Sequence, residues 1–599
     1  MNKRVTKIGW IVLAALLTLS LILVPGCTAP AEQEEEEEEE EPGIEIPFKN
    51  PDTFVQMIIG EPDTLDPAWC YETAGGEQIQ YMYEPLLYYD GTSTSEFIPV
   101  LATEWEFNEA ELTYTFKIRE GVKFHEGGDL TPEDVEYSFE RWMVQDRAAG
   151  PTWMIYGALL DVGGSADVTF ADIDAAVEVD GDSVVFKLAG PYWQIPFLQI
   201  LCGQWASIVD KEWCIANGGW DGTEETWMDY NQPADEGDTI LFDQVNGTGR
   251  WKLDIWEKGS QIKLVKFDDY WGDPAPFDHV ITQLVEEWTT RKLALLNGDA
   301  DYVNVPRAYI GELEGIDDLT VYKDLPQLAL DAFFFNMCIS EESAYIGSGQ
   351  LDGEGIPPDF FSDVDVRRGF AYAFDYETFL KDALQNEAQF VGSPVVEGLY
   401  GYNPDASRFT YDLDKAAEHL QAAWGGELWD VGCKFTLLYN AGNLARKTMC
   451  EVMAEGLLAV NDKFRVSIQP ISWGSYVDHL YDFSLPMFSI GWLADYPHAD
   501  NFVSPFMHSG APGVFSHFQC YGSAELDAKI VAAFQETDPV QQQALYDEIQ
   551  EIYFQDPGGI VLVQPLARRY FTKYIKGFYF NTIIPGNAGP LWDMSKSES

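Results

Sequence analysis

One stretch gathers the residue types that recognition of a cation needs. Ile490–Phe506 reads IGWLADYPHADNFVSPF and sets Asp495 between two aromatic residues, Trp492 and Tyr496. Pro497 lacks an amide proton and has a fixed φ, so the chain is expected to leave regular strand or helix there. The result is a loop that presents one carboxylate beside apolar faces. A carboxylate partly dried by two rings attracts a cation more strongly than a surface aspartate, because water screens it less. An acidic turn packed on core aromatics would have the same spacing, so the rest of the chain must decide.

Other chemistries find little support. There is no CxxC, HExxH, GK[ST] or GxSxG pattern, so structural zinc, metalloprotease, nucleotide and serine-hydrolase sites are not indicated. His498, His508 and His517 are too widely spaced to specify a metal site. With 99 acidic residues, a glycosidase-like carboxylate pair could be drawn anywhere and carries no information. No catalytic residue, cofactor or metal is therefore expected.

The elements that must position Asp495 belong to a long chain. Its 599 residues exceed one core and suggest about three or four units. Hydrophobic residues make up 46% and aromatics 14%, as in a globular protein. There are 36 basic residues against 99 acidic ones, a net charge of −63. Such a surface repels a phosphate backbone, which excludes nucleic acid as a partner.

The N-terminus has secretory grammar: Lys3, Arg4 and Lys7 precede the uncharged apolar run Ile8–Val24, which ends at Pro25-Gly26-Cys27. A single membrane span would also fit the length of the run. The Gly-Cys ending resembles a bacterial lipobox, which implies a signal peptide over 1–26 and lipidation of Cys27, although Val24 and Pro25 depart from the commonest pattern. Thr28–Pro47 contains the run Glu34–Glu41, which self-repels and buries nothing, so an extended acidic tether over 27–49 is expected. With Cys27 lipidated, seven cysteines remain, an odd number. Cys202 with Cys214 and Cys433 with Cys450 are the closest pairs in sequence, but spacing cannot fix a connectivity.

Along the body, Phe54–Ile59 reads as a strand, Gln78–Leu87 as a helix and Leu112–Arg119 as an alternating strand. Thr131 and Pro132 open a helix running to about Met143. Val184–Leu188 and Pro196–Ile200 are short apolar segments, and Asp221–Asp243 a surface insertion. Ile255–Lys258 and Ile262–Phe267 form a hairpin around Gly259-Ser260. Leu328–Asn336 is an apolar crossing strand. Helical periods in Val364–Leu384, Asp412–Ala423 and Val540–Tyr553 alternate with strands Phe435–Tyr439 and Ile560–Val563, an α/β pattern.

Several segments together carry a family resemblance. They are Glu61-Pro62-Asp63-Thr64-Leu65-Asp66-Pro67, Pro99–Arg141, Gly247-Thr248-Gly249, Phe335-Asn336, Asp365–Asp375 and the loop opening at Gly491. In their order the chain resembles the bacterial extracellular solute-binding proteins of family 5, the peptide- and nickel-binding components of ABC transporters. The resemblance implies an α/β fold with two lobes that close on a ligand like a clamshell. It places the first lobe at 50–90, 208–328 and 556–599, an additional domain at 91–207 and the second lobe at 329–555. It also implies an extracytoplasmic, membrane-anchored monomer that hands a small ligand, foremost a peptide, to a permease and ATPase complex. Oligosaccharides, metal chelates and other cationic solutes are the alternative ligands, and a secreted carboxylate-dependent hydrolase is the last alternative.

The resemblance further implies roles at the site. Asp495, following Gly491-Trp492-Leu493-Ala494, would bind the ligand amine, with Trp492 and Tyr496 as apolar or cation–π faces. Trp69, Cys70, Tyr71 and Glu72 would line the opposite wall. Some oligopeptide binders use arginines just before the Gly-Trp pair for the ligand carboxylate, and Tyr481–Ile490 has none. Arg446 or Lys447 could supply that cation, although both also suit a helix start facing water. Trp473 could stack on a ligand or belong to the core.

Overall fold

A computed structural model describes residues 44–598 except 148–149, 234–238, 442, 472, 511–514 and 587, and gives only the backbone of 167, 473, 474, 477 and 561. The strands that matter for the site are β1 (Thr53–Ile58), β2 (Ala102–Asn108), β3 (Thr113–Ile118), β4 (Val177–Asp180), β5 (Ser183–Lys187), β6 (Trp251–Glu257), β7 (Gln261–Lys266), β8 (His279–Leu284), β9 (Tyr302–Val303), β10 (Leu319–Pro326), β11 (Ala329–Phe335), β12 (Cys433–Asn440), β13 (Phe464–Ile471), β14 (Met487–Leu493) and β15 (Gly559–Thr572). The helices used below are α1 (Thr73–Met82), α2 (Pro132–Gln145), α3 (Thr152–Leu160), α4 (Leu444–Val460), α5 (Trp473–Tyr481), α6 (Asp500–Met507), α7 (Ala524–Gln535) and α8 (Pro539–Gln555).

A ten-stranded mixed sheet runs β14-β11-β15-β9-β1-β8-β7-β6, with β10 and Ala388–Phe390 also paired to β15. The long β15 is its tie. Its first residues pair with β11 and its last with β10 and β9, so the C-terminal part of the chain joins the early strands to the late ones. A separate antiparallel sheet, β2-β3-β5-β4, occupies residues 102–187. β12 and β13 form a parallel pair over a core of their own that includes Phe335, Phe370, Phe435 and Met453.

Local chemistry explains most boundaries. α2 starts where Thr131 and Asp134 form a capping box with Pro132 at the first turn. The helix expected at 78–87 instead spans Thr73–Met82, because Gly75 and Gly76 lie inside it. A Cβ on Gly75 would sit 2.5 Å from both Cys70 Sγ and Glu72 Oε1, so contact with neighbours outweighs the low helix propensity of glycine. Pro196–Ile200, read as an apolar segment, lies in a helix from Gln194 to Ile200.

The last residues of the expected tether, from Ile44 on, belong to the folded body. Ile46 is fully buried, donates its amide to Asp318 at 2.7 Å and accepts from the Tyr574 hydroxyl at 2.6 Å. One apolar residue past the acidic run is enough to dock the chain. Cys27 and the apolar run before it lie outside the described residues. Among those described, no helix is long and apolar enough to cross a membrane.

Cysteine spacing did not find the disulfide. Cys338 bonds Cys520 across 182 residues, whereas Cys202, Cys214, Cys433 and Cys450 are free and buried. A pair close in sequence need not be close in space.

Candidate functional site

β14 delivers the Gly491–Asp495 segment. Its register on β11 sets Ala329 opposite Leu493, Leu330 opposite Trp492 and Asp331 opposite Gly491. Pairing continues one residue further, since the Ala494 amide donates to Leu328 at 2.8 Å. Strand alternation then puts Gly491, Leu493 and Asp495 on one face and Trp492 on the other. Trp492 packs there against Phe506 and Phe515, at 6.4 and 5.6 Å between ring centres. The chain turns at Pro497 and enters α6.

Asn501 in α6 fixes the carboxylate. Its side-chain oxygen accepts from the Asp495 amide at 2.9 Å and from Trp492 Nε1 at 3.1 Å, and its Nδ2 donates to Asp495 Oδ2 at 3.0 Å. Tyr71, from the far side of the chain's midline, donates its hydroxyl to the same carboxylate. Trp153 in α3 holds that hydroxyl by donating Nε1 at 3.1 Å, and its ring meets Tyr496 at 6.4 Å. Tyr192 and Trp193 pack on Phe534 of α7 nearby, at 5.3 and 4.9 Å. The two walls are thus in contact around Asp495.

The electrostatics are unusual for an aspartate. Asp495 is 8% exposed, and the groups that hydrogen-bond it are neutral. Burial lifts its carboxyl to about 7, opposed by the hydrogen bonds from Asn501 and Tyr71. A buried carboxylate without a cation is costly when charged, and an incoming ammonium would remove most of that cost.

The other expected site residues separate into groups. Trp69 and Cys70 are 1% and 0% exposed, so their side chains face the core. Glu72 caps α1, accepting from the amides of Ala74 and Gly75 at 2.6 and 2.5 Å. Of the segment Trp69–Glu72, only Tyr71 reaches Asp495. Tyr496 does not flank the carboxylate in the way its sequence position suggests: it is fully buried and turns its hydroxyl to Asp500 at 3.2 Å. Leu493 is half-buried on the open face and Ala494 is held by its main chain. Arg446 is half-buried in the first turn of α4, donates to Asn440 at 2.8 Å and lies 6.0 Å over the Tyr476 ring. Lys447 pairs with Glu451 at 3.3 Å. Trp473 opens α5, and its side chain lies outside the described part of the structure. Sequence reasoning missed Asn501 and Trp153. Asn501 left one signal, an amide side chain six residues past Asp495 at the start of a mostly apolar helix.

The shared motifs are mostly crosslinks that hold this geometry. Asp66 pairs with Arg141 through Nη1 at 2.9 Å and also meets Thr239. Glu61 accepts from Trp256 Nε1 at 2.9 Å and the Gly259 amide at 2.7 Å. Thr248 donates to Glu84 at 2.8 Å, and a Cβ on Gly247 or Gly249 would strike Met82. His125 bonds the Gly249 carbonyl at 2.9 Å, and burial lowers its ring to about 4.

Comparison with known proteins places this arrangement. The peptide-bound periplasmic protein DppA of Helicobacter pylori superposes with a TM-score of 0.70 at 22% identity, covering 91% of this chain and 98% of that one. AppA of Bacillus subtilis, solved with a nonapeptide, gives 0.70 at 21% identity, covering 91% and 99%. The likeness defines the fold as a two-lobed α/β architecture. Residues 96–513 match the family described as bacterial extracellular solute-binding proteins, family 5 middle, and the chain belongs to that family. A curated relative, the probable D,D-dipeptide-binding periplasmic protein DdpA of Escherichia coli K12, is 24% identical over 546 residues, 88% of this chain and 92% of the relative.

Proposed function

We propose that this protein captures a peptide between its lobes and delivers it to the permease of an ABC transporter, with Asp495 receiving the peptide ammonium. One observation carries the reading: a carboxylate 8% exposed, oriented by Asn501 and met by Tyr71 from the opposite wall, with neutral partners. The names of the relatives, peptide binders rather than enzymes, support it. Closure contributes contacts from both walls, so a ligand that touches both shifts the population toward the shut form. The division proposed is a first lobe at 50–90, 208–328 and 556–599, an additional domain at 91–207 and a second lobe at 329–555.

The protein acts as a monomer outside the cytoplasm, tethered through lipid on Cys27. The Cys338–Cys520 disulfide supports an oxidising compartment. Cys27→Ser is expected to release the protein from membranes, and retention after that change would indicate an uncleaved span. The ligand assignment is tested by calorimetric titration with small peptides and by mass spectrometry of whatever co-purifies. Binding of free peptides with loss on N-acetylation is the expected result, and indifference to acetylation would reject Asp495 as the ammonium site.

A further inference from the structure

A recess at the edge of the large sheet takes no part in the site around Asp495. It holds about 330 Å³, its mouth included, between the strand Ala388–Phe390, the loop that carries Arg408, the end of α8 and the first residues of β15. That is the small end of the roughly 300–1,000 Å³ that receives small molecules. The residues Gly491, Asp331, Val563 and Phe390 lie opposite one another across the sheet. Three strand spacings of about 4.8 Å therefore put Phe390 roughly 14 Å from β14, the strand that delivers Asp495.

Gly392 shapes the opening. A Cβ there would come within 2.5 Å of the Ser407 carbonyl and 3.0 Å of that of Ala406, so glycine is what lets the loop bearing Arg408 and Phe409 fold down over the strand. The walls then sort by polarity and depth. Tyr376, Phe390 and Phe409 give aromatic sides, with Tyr376 and Phe390 edge to face at 5.1 Å. The Tyr376 hydroxyl is already taken by the Ala371 carbonyl at 2.9 Å.

Two polar groups of the lining are left. Arg408 is exposed at the mouth and makes no ion pair among the described residues, and its hydrogen bond to the Phe390 carbonyl is stretched to 3.5 Å. Glu397, which acts together with Arg408 on Tyr402, is turned to Gln389 at 2.7 Å. Deeper in, Tyr553 is 1% exposed and its hydroxyl has no hydrogen-bond partner among the described residues. Gly559 approaches it, a Cβ there lying 3.1 Å from the oxygen, without bonding it. A buried hydroxyl without a partner is costly, and a polar group entering the recess can supply one.

We propose that this recess is a second ligand site, for a small hydroxyaryl carboxylate. The carboxylate rests on Arg408 at the mouth, the ring lies between Phe390 and Phe409, and the ligand hydroxyl bonds Tyr553. A guanidinium offers such a carboxylate two parallel donors, and aromatic walls take a ring edge to face. In a chain of net charge −63 a bare anion gains little, so the buried ring supplies most of the affinity. The proposal stands apart from the reading of Asp495 as the ammonium site.

Calorimetric titration of the full folded protein at neutral pH tests this with para-hydroxyphenylacetate, phenylacetate and para-hydroxyphenylacetamide. The hydroxylated acid should bind tightest, with phenylacetate weaker by about threefold or more and the amide by about tenfold or more. Arg408→Gln should bring acid and amide within about twofold of each other, and Tyr553→Phe should do the same for the hydroxylated and plain acids. Thermal melting verifies that both variants fold, and the comparison of the three probes on the unaltered protein needs no variant. Asp495→Asn should leave all three affinities unchanged. Absence of binding, equal affinity for acid and amide, or equal affinity for the hydroxylated and plain acids overturns the proposal. An acid preference that survives Arg408→Gln overturns it as well, and so does loss of binding in Asp495→Asn, which would put the ring in the peptide cleft.

Discussion

Two buried aspartates in this molecule have opposite surroundings. Asp66 is fully buried and held by the Arg141 guanidinium and Thr239, with Arg141 itself 2% exposed. Asp495 is nearly as buried, yet its hydrogen-bond donors are an amide and a phenol. The first has its countercharge within the fold. The second has only neutral partners there, which is the ground for proposing it as the receptor of a cation. The comparison separates structural from binding acids by partner, where burial alone cannot.

Breaking the first pair should give the largest effect. Arg141→Ala leaves the Asp66 charge buried without a cation, and losing one partner of a buried pair costs about 3–5 kcal/mol. Denaturant titration should show that loss, with the peptide affinity of the remaining folded protein unchanged. A stability change under about 1 kcal/mol would mean that Asp66 finds water.

Asp495→Asn should act in the opposite sense on stability. The folded carboxyl sits at about 7 against an ordinary 3.8, so charging it opposes the folded form. The amide removes that penalty, and the free protein should melt at the same or a higher temperature at pH 8. Peptide affinity should fall by about 2–5 kcal/mol, the range for removing one member of a desolvated charge pair. A loss of stability with intact affinity would reverse the two roles.

How far these roles could be read in advance differs between the two acids. The order of motifs from Glu61 to Gly491 pointed to the fold, because several weak signals in one order over most of the body constrain it more than any single one, and the family match over residues 96–513 agrees. The same motifs did not reveal that Asp66 and Arg141 are partners, since the contact joins residues 75 positions apart. At the site, Asp495 was singled out by its aromatic neighbours and its place after Gly491-Trp492, and the structure buries it. Its real surroundings were not, because the strand turns Trp492 away, Tyr496 points to Asp500, and Tyr71 and Asn501 arrive through tertiary structure. Glu72 was misjudged for a local reason: an acid three residues before a Gly-Gly pair reads as loop, yet it caps the helix containing those glycines.

A pH titration sharpens the comparison with a smaller effect. A carboxyl raised in the folded state stabilises it most at low pH, and that contribution falls as pH rises through about 7. The ligand-free protein should therefore be more closed at pH 5.5 than at pH 8, as read by its radius of gyration in solution scattering. An ammonium needs the charged form, so affinity should weaken about tenfold per unit below pH 7 and binding near pH 7 should release protons. Calorimetry in buffers of different ionisation enthalpy measures that release. Asp495→Asn should abolish both dependences, whereas Arg141→Ala should leave them in place.

The smallest change is Tyr71→Phe, and it asks whether the phenol is a wall or a placeholder. In the structure its hydroxyl donates to Asp495 and accepts from Trp153. Removing it deletes one hydrogen bond to a buried carboxylate, worth about 0.5–1.5 kcal/mol net, and leaves the Trp153 donor without its acceptor. Without ligand, the equilibrium should move toward the open form by about that amount. With ligand the ammonium supplies its own donors to Asp495, so affinity should change less than about threefold. Scattering on the free protein and titration on the bound one should therefore disagree in size. If both shift as far as in Asp495→Asn, the phenol and the carboxylate form one inseparable ligand group, and the contrast between an occupied and an unoccupied acid would have to include Tyr71.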